Sequence, residues 1–357
     1  MPRVGSCGDR ACGRTSGRTG DAAAVCAGRW MPAFALCMVW WSLGTTPAHA
    51  AECPLAPQIA ASQLTPAQGE PRDRGFLWRI SAAGHTSWLY GTIHINQQDW
   101  ALPGPKTAAA LRASKTLALE MDLDDPSIQQ RFAKLIARHA GDLPEALAAR
   151  VNAQLARVCL PETLVDQMHP SMLLSTIELM ALRSAGLYFE YGADQMLAEQ
   201  AHAERKPIVS LETPEVQADA MLGPDATVDI DEVTESLEAL EGDRSEALTR
   251  TLLTTWAESD LPRLESYAQW CDCMTTPKEI AAIRRLIDER NPALADSIDA
   301  LHRKGRSVFA AVGALHMIGP AGLPELLRQR GYRVERIAFT SRAAVIPNAA
   351  RKSLPDQ

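Results

Sequence analysis

Residues 88–94 read WLYGTIH, and residues 309–316 read FAAVGALH. In each segment an apolar run typical of a β-strand reaches a glycine, and a histidine follows three residues later, at His94 and His316. Glycine at a strand's end lets the backbone turn sharply or approach a ligand closely. One such histidine alone is commonly a core or loop residue. Two of them, each after a strand, predict a shared site at the edge of a sheet.

Further strands and helices are predicted outward from these two segments. A hairpin is predicted across Ala82-Ala83-Gly84-His85. The other strands are predicted at 76–80, 115–121, 206–211 and 332–337, and the helical stretches at 104–114, 126–206, 214–304 and 320–330. The strands therefore come from both ends of the chain. We expect an α/β (α+β) fold in which one central mixed sheet carries a large helical insertion at 126–304.

The first fifty residues differ in composition from the rest. They hold five arginines, no lysine and two acids, and an apolar run at 33–44 is followed by Pro47-Ala48-His49-Ala50. This order is typical of a secretory signal. We expect cleavage after Ala50, from a start at Met1 or Met31, and a periplasmic or secreted protein. Because the run is short for a membrane span, we expect no stable insertion after cleavage; an uncleaved anchor is the alternative.

Composition limits the partners of the remaining chain. The sequence is 46% hydrophobic and 22% charged, as in soluble globular proteins. Residues 51–357 carry a formal net charge of −10, from 41 acidic and 31 basic residues. An acidic chain without a Lys/Arg-rich run is not expected to bind nucleic acid. We expect a domain at 76–340 between a loose leader at 51–75 and a loose tail at 341–357. The sequence does not indicate an oligomeric state.

Four cysteines follow the predicted cleavage point: Cys53, Cys159, Cys271 and Cys273. An even number of cysteines in an exported protein favours two disulfides. A bond between Cys271 and Cys273 would close a very small ring. We therefore expect Cys53 and Cys159 each to pair with one of these two; a metal site at the Cys-x-Cys pair is the alternative.

Two glutamates end predicted strands, as the histidines do. Glu120 lies late in LALEM (117–121), and Glu212 follows IVSL (208–211). A buried carboxylate needs a partner or a metal ion. Two histidines with such carboxylates predict a divalent metal site that keeps a position open for water. A histidine acting as a general base, oriented by a glutamate, is the metal-free alternative.

Short motifs follow one another from about residue 75 to residue 340. They are LYGTIH (89–94), LP (102–103), LEMD (119–122), YGAD (191–194) with Leu197, LET (211–213) with Gln217, ERN (289–291), VGALH (312–316), Gly319, Gly322-Leu323 and Gly331-Tyr332. In this order they resemble the TraB/PrgY/GumN family. That family includes the Tiki proteins, which are metal-dependent peptidases, and related sheets occur in erythromycin-esterase-like and ChaN-like proteins.

The resemblance implies a hydrolytic site, with a peptide or protein as substrate. It places a metal ion of unknown identity on His94, Glu120 and His316, and it implies catalytic roles for Glu120, Glu212 and Arg290. Glu212 is a possible base, and Arg290 would bind a substrate carboxylate or stabilise an oxyanion, or else form a salt bridge that orders the helical roof. Asn291 falls on a further family position. Tyr191 and Asp194 would line the cleft, or Asp194 would cap the following helix. The alternative function is a non-catalytic exported protein that binds a peptide, haem or a polysaccharide fragment.

Overall fold

The computed structural model describes residues 71–223, 225–242 and 244–339. The predicted signal sequence at 1–50, its cleavage point and Cys53 lie outside the described residues. So do most of the predicted leader and the predicted tail at 341–357. None of the helices in the described part is long and apolar enough to cross a membrane.

A mixed sheet forms the centre of the described chain. Its six strands are β1 (Phe76–Ala82), β2 (His85–Thr92), β3 (Thr116–Leu119), β4 (Ile208–Ser210), β5 (Val308–Gly313) and β6 (Arg333–Ile337). They lie in the order β4-β3-β5-β2-β1-β6. Strands β4, β3, β5 and β2 run parallel, whereas β1 is antiparallel to both β2 and β6. The predicted fold class is confirmed: one mixed sheet takes five strands from the two ends of the described chain, and β4 comes from within the predicted insertion at 126–304.

Strand β5 lies inside the sheet between β3 and β2. All six of its residues are buried, and Phe309 is in register with Trp88 on one side and Leu117 on the other. A strand covered on both faces has no solvent side, which explains its continuous apolar sequence. The predicted hairpin joins β1 to β2, with Ala83 and Gly84 in the left-handed region that a tight two-residue turn requires.

Helices fill the chain between and beyond the strands. They are α1 (Pro105–Ala113), α2 (Pro126–Ile136), α3 (Glu145–Arg157), α4 (Pro170–Ala181), α5 (Ala193–Ala203), α6 (Pro214–Leu222), α7 (Ile230–Glu241), α8 (Arg244–Ala257), α9 (Leu261–Glu265), α10 (Tyr267–Trp270), α11 (Pro277–Leu286), α12 (Asn291–Arg303) and α13 (Leu323–Gln329). Short 3₁₀ turns at Phe189–Tyr191 and Ala314–Met317 flank the site described below. Local signals set several starts: Asp125 caps α2 and Thr213 caps α6, each directly before a proline in the first turn.

The helical insertion has a core of its own. Leu155, Leu173, Ile177 and Leu237 are buried together on α3, α4 and α7. The sheet and the helices against it form a separate, larger cluster. These contacts are separate from those that pack α5 and α12 against the sheet.

The structure corrects the predicted cysteine pairing. Cys271 and Cys273 are bonded to each other, with their Cα atoms 5.1 Å apart. Asp272 between them adopts a φ of 52°, which turns the chain back and brings the two thiols together. The expectation that each would pair with a distant cysteine was therefore wrong. Cys159 is also disulfide-bonded.

Candidate active site

The four parallel strands all end on one edge of the sheet. His94 follows β2, Glu120 follows β3, Glu212 follows β4 and His316 follows β5, each within three residues of the strand's last residue. In open α/β sheets the crevice beyond the carboxyl ends of the strands is where ligands bind. The structure thus places the four predicted side chains along one such edge.

Gly313, the last residue of the central strand, marks the point where three of these side chains meet. A Cβ atom added at Gly313 would lie 3.3 Å from Glu120 Oε1, 3.6 Å from His94 Nε2 and 3.6 Å from His316 Cδ2. The φ of Gly313 is −48°, which any residue can adopt. Glycine is therefore needed here for space and not for a special backbone conformation. The absence of a side chain leaves room between the three functional groups.

Gly91 serves packing instead. A Cβ atom at Gly91 would lie 3.1 Å from Met317 Cγ and 3.3 Å from Ala314 Cα. The end of β2 can therefore pack closely against the turn that carries His316. The two Gly-x-x-His segments thus use their glycines for different purposes, one beside the functional groups and one between backbone segments.

Arg290 precedes α12 and joins the buried side of the site. Its Nε donates to both carboxylate oxygens of Glu212, each at 3.1 Å. Nη2 donates to Oε2 of Glu212 at 2.7 Å and to Oε2 of Glu120 at 2.5 Å. Nη1 donates to the carbonyl of Leu286 at 2.8 Å and to Nε2 of His316 at 3.3 Å. All five N–H bonds of the guanidinium group are satisfied.

The two carboxylates around Arg290 leave an excess of negative charge. Burial would raise the pKa of Glu120. The neighbouring side chains of His316, His94 and Arg290 and the backbone N–H of Gly313, at 2.7 Å, outweigh burial and lower that pKa to about 2. Burial raises the pKa of Glu212. With both groups ionised, two buried negative charges face one guanidinium. Such a site favours an additional cation.

His316 is buried and held in one tautomer by Asn291. Its Nδ1 lies 2.6 Å from Asn291 Oδ1, while Asn291 Nδ2 donates to the carbonyl of Ala321 at 2.9 Å. The amide oxygen therefore faces the ring, so Nδ1 must carry the proton and Nε2 must carry the lone pair. Burial lowers the pKa of His316 to about 4. The imidazole is consequently neutral near pH 7.

His94 is exposed and is held by a carboxylate. Its Nδ1 lies 2.7 Å from Asp194 Oδ2 in the first turn of α5, and 58% of the His94 side chain is accessible to solvent. The Asp194 charge raises the pKa of His94 to about 9, although water around an exposed ring screens part of that attraction. The bond to Asp194 directs Nε2 away from α5 and towards Gly313.

The residues around Asp194 correct one sequence-based alternative. The N-cap of α5 is Gly192 and not Asp194. The Asp194 side chain therefore does not cap the helix, and it orients His94 instead. A Cβ atom at Gly192 would lie 2.4 Å from the carbonyl oxygen of His94, and the N–H of Ala193 donates to the carbonyl of Ile93 at 2.8 Å. These contacts fix the start of α5 against the end of β2. Tyr191 is fully buried and does not line an open cleft.

The donor types at this edge fit a divalent metal ion. Two imidazoles donate their Nδ1–H to an oxygen and keep Nε2 for a ligand, the usual pattern of metal-binding histidines. Glu120 adds a carboxylate. The ligand atoms of His94, Glu120 and His316 do not all lie within 4.8 Å of one another, and Arg290 contacts both Glu120 and His316.

One other group of ligand-type side chains is close together. Among the described residues, Asp122, Asp124 and His202 have ligand atoms that all lie within 4.8 Å of one another. His202 Nε2 lies 3.1 Å from Asp124 Oδ2, and the Asp124 N–H donates to Asp122 Oδ1. Asp122 and Asp124 lie just before α2, whereas His202 lies in the last turn of α5.

Comparisons with known proteins agree with the ordered motifs. The model of the TraB/PrgY/gumN family matches residues 76–336. YbaP of Escherichia coli (strain K12), described as an uncharacterized protein, is 24% identical over 278 residues, which cover 71% of this chain and 97% of YbaP. The protein named metalloprotease TIKI1 of Danio rerio is 23% identical over 339 residues, 78% of this chain and 67% of TIKI1. No solved structure gives a significant match.

Proposed function

The chain belongs to the TraB/PrgY/gumN family, and we propose that it is a metal-dependent hydrolase that cleaves peptide bonds. His94, Glu120 and His316 would hold the metal ion. The observation that carries this proposal is the pair of oriented imidazoles: each histidine, on its own strand end, donates Nδ1–H to an oxygen and turns its other edge to the space beside Gly313. The name of the similar TIKI1 protein supports the choice of a metalloprotease activity.

A bound divalent metal would lower the pKa of a coordinated water and polarise the carbonyl that is attacked. The chain's own residues set the conditions for that chemistry. Asn291 holds His316 in the tautomer that leaves Nε2 available, and Asp194 orients His94 so that its Nε2 faces the same space. Because Asp194 raises the pKa of His94 to about 9, metal binding at His94 must displace the Nε2 proton. His94 is the exposed member, so we expect substrate to approach from its side.

The geometry refines the roles that the sequence suggested for two residues. In this structure all five N–H bonds of Arg290 are used within the protein, and Nε and Nη2 are bound to Glu212 and Glu120, so we do not expect Arg290 to bind a substrate carboxylate or an oxyanion. The Glu212 side chain is only 2% exposed and binds Arg290 through both oxygens. We therefore assign Glu212 and Arg290 to positioning Glu120 and His316, and not to proton transfer with substrate.

The decisive experiment measures metal content and peptide hydrolysis together. We expect the purified protein to bind about one divalent ion per chain and to cleave members of a peptide library, with loss of both properties in His94→Ala and His316→Ala. His139→Ala is the matched control, because His139 also pairs with an aspartate, Asp142, on the surface. Unchanged metal content and activity in the two site variants would refute the proposal.

A metal-free hydrolase is the second candidate, and the Arg290 contacts favour it. Arg290 already supplies a positive charge to Glu120 and His316, while His94 with Asp194 forms an exposed pair suited to acid–base catalysis. A strong chelator distinguishes the two. Loss of hydrolysis on chelation, with recovery on adding metal, supports the first candidate; full activity in chelator supports the second.

We also propose that the protein works in the periplasm or outside the cell. The support is the composition of residues 1–50, together with the Cys271–Cys273 disulfide, which is typical of oxidising compartments. Mass spectrometry of the exported protein tests this. An N-terminus at Ala51 is expected, and a retained residue 1–50 segment would argue for an anchored protein instead.

A further inference from the structure

We infer that Arg290 competes with the metal ion for His316, so that Arg290 sets how tightly the site holds metal. The inference rests on the proposed metal site and assigns a second task to a residue that otherwise positions its neighbours. The reason is that His316 Nε2 has one lone pair, for which the Arg290 guanidinium and a metal ion would both compete.

His316 can serve one partner at Nε2. A neutral imidazole has a single lone pair, and Asn291 fixes that lone pair on Nε2. In the structure Arg290 Nη1 donates to this nitrogen at 3.3 Å. A metal ion that takes Nε2 must therefore displace the Arg290 hydrogen bond.

The other two proposed ligands do not face the same competition. Glu120 Oε1 accepts one bond, from the N–H of Gly313, and an ionised carboxylate oxygen has room for a second. Among the described residues, His94 Nε2 has no hydrogen-bond partner, since its only side-chain bond is made by Nδ1 to Asp194. Competition between Arg290 and the metal for a single lone pair is thus confined to His316.

Arg290 is well placed to be a strong competitor. Glu212 holds it through three contacts and the carbonyl of Leu286 through one, and its side chain is 7% exposed. The guanidinium fork is rigid, so a group anchored on Glu212 keeps its other edge on His316 and Glu120. A lysine at this position would keep the charge, but its single ammonium group cannot reproduce the fork.

The test compares Zn²⁺ binding to the wild type and to Arg290→Lys by isothermal titration calorimetry. We expect the variant to bind Zn²⁺ about tenfold more tightly, the factor that corresponds to ~1.4 kcal/mol, because His316 is released while the charge is retained. Arg131→Lys is the control for the substitution itself, since Arg131 makes a two-bond contact with Glu215 at the surface. Its affinity for Zn²⁺ should equal that of the wild type.

The outcomes separate this inference from the proposed function. If the wild type binds Zn²⁺ and Arg290→Lys binds it equally or more weakly, the competition is refuted and the metal site stands. If neither protein binds Zn²⁺, both ideas fail.

A second measurement needs no substitution, in case Arg290→Lys does not fold. A crystal structure of the wild type soaked with Zn²⁺ should show Arg290 Nη1 beyond hydrogen-bond distance of His316 Nε2. Metal bound by His316 through Nε2 with the Arg290 contact unchanged, or metal bound by His94 and Glu120 alone, would overturn the inference.

Discussion

His94 and His316 end similar segments of sequence, yet they lie in opposite surroundings. His94 is largely exposed and is bound by the charged Asp194, whereas His316 is almost fully buried and is bound by the neutral Asn291. Their pKa values move in opposite directions as a result, upwards for His94 and downwards for His316. The same spacing of glycine and histidine therefore produces two imidazoles with opposite pKa shifts.

The two histidines therefore lie in two parts of the site with different structures. The His316 side, with Arg290, Glu120 and Glu212, is a closed network in which each group depends on the others. The His94 side is a single ion pair that solvent and substrate can reach. Changes on the buried side should therefore affect stability as well as function, and changes on the exposed side should affect mainly function.

The largest expected effect follows from removing the charge at the centre of the buried network. Arg290→Met leaves Glu120 and Glu212 buried without their counter-ion, and breaking a buried pair in this way costs about 3–5 kcal/mol. Arg150→Met is the control, because the Arg150–Glu241 pair is at the surface and such pairs contribute little to stability. Urea denaturation measures both. Equal losses in the two variants would show that the network does not stabilise the buried side.

The sequence predicted the edge of the sheet but not the network along it. The apolar run of β5, the two Gly-x-x-His segments and the strand-borne Glu120 and Glu212 carry local patterns, and they placed these groups correctly. Arg290 reaches Glu212 across 78 residues and Glu120 across 170. An ion pair between such distant residues leaves no periodic signal in the sequence.

The orienting residues were missed for the same reason. Asp194 binds His94 across 100 residues, and its position early in α5 also suited a helix cap. Asn291 was noted only for its family position. The close approach of Gly192 to the His94 carbonyl, which selects Asp194 for its role, is visible only in three dimensions.

The second effect distinguishes the two glycines. Gly313→Ala puts a methyl group 3.3 Å from Glu120 Oε1, which requires a shift of a few tenths of an ångström, and 3.6 Å from His94 Nε2. We therefore expect hydrolysis to fall, by less than the roughly 100-fold that a full 1 Å misplacement costs. Gly91→Ala meets Met317 and Ala314 instead and should cost about 1–3 kcal/mol of stability by overpacking. Peptide hydrolysis and thermal unfolding of both variants test this. A Gly313→Ala protein with full activity would contradict the position of the site.

The third effect concerns the group that orients the exposed ring. Asp194→Asn keeps an oxygen that can accept from His94 Nδ1 but removes the charge, and changes to such supporting partners typically cost about 10–100-fold in metal affinity or activity. Asp142→Asn alters the corresponding pair at His139 and should leave both unchanged. Zn²⁺ affinity by calorimetry is the measurement. Equal Zn²⁺ affinity in the wild type and Asp194→Asn would show that the Asp194 charge does not contribute to metal binding.

The smallest effect is the pH dependence of stability. It is measured in a buffer with a chelator, so that protons and not metal ions bind to the two histidines. The pKa of His316 is about 4 in the folded chain against an ordinary 6.5, so the unfolded chain binds more protons between these values and stability falls as the pH drops from 6.5 towards 4. The pKa of His94 is raised to about 9, so its contribution is present below 6.5 and is lost as the pH rises through 9.

The substitution His94→Gln separates the two contributions. It should remove the loss of stability between pH 6.5 and 9 while leaving the acid-side loss from His316 in place. The alkaline difference from wild type should stay within about 1 kcal/mol, since the His94–Asp194 pair is exposed to solvent. Urea midpoints at pH 5, 7 and 9 would reveal it. If His94→Gln instead flattened the acid side, the assignment of the neutral ring to the buried histidine and of the charged ring to the exposed one would be reversed.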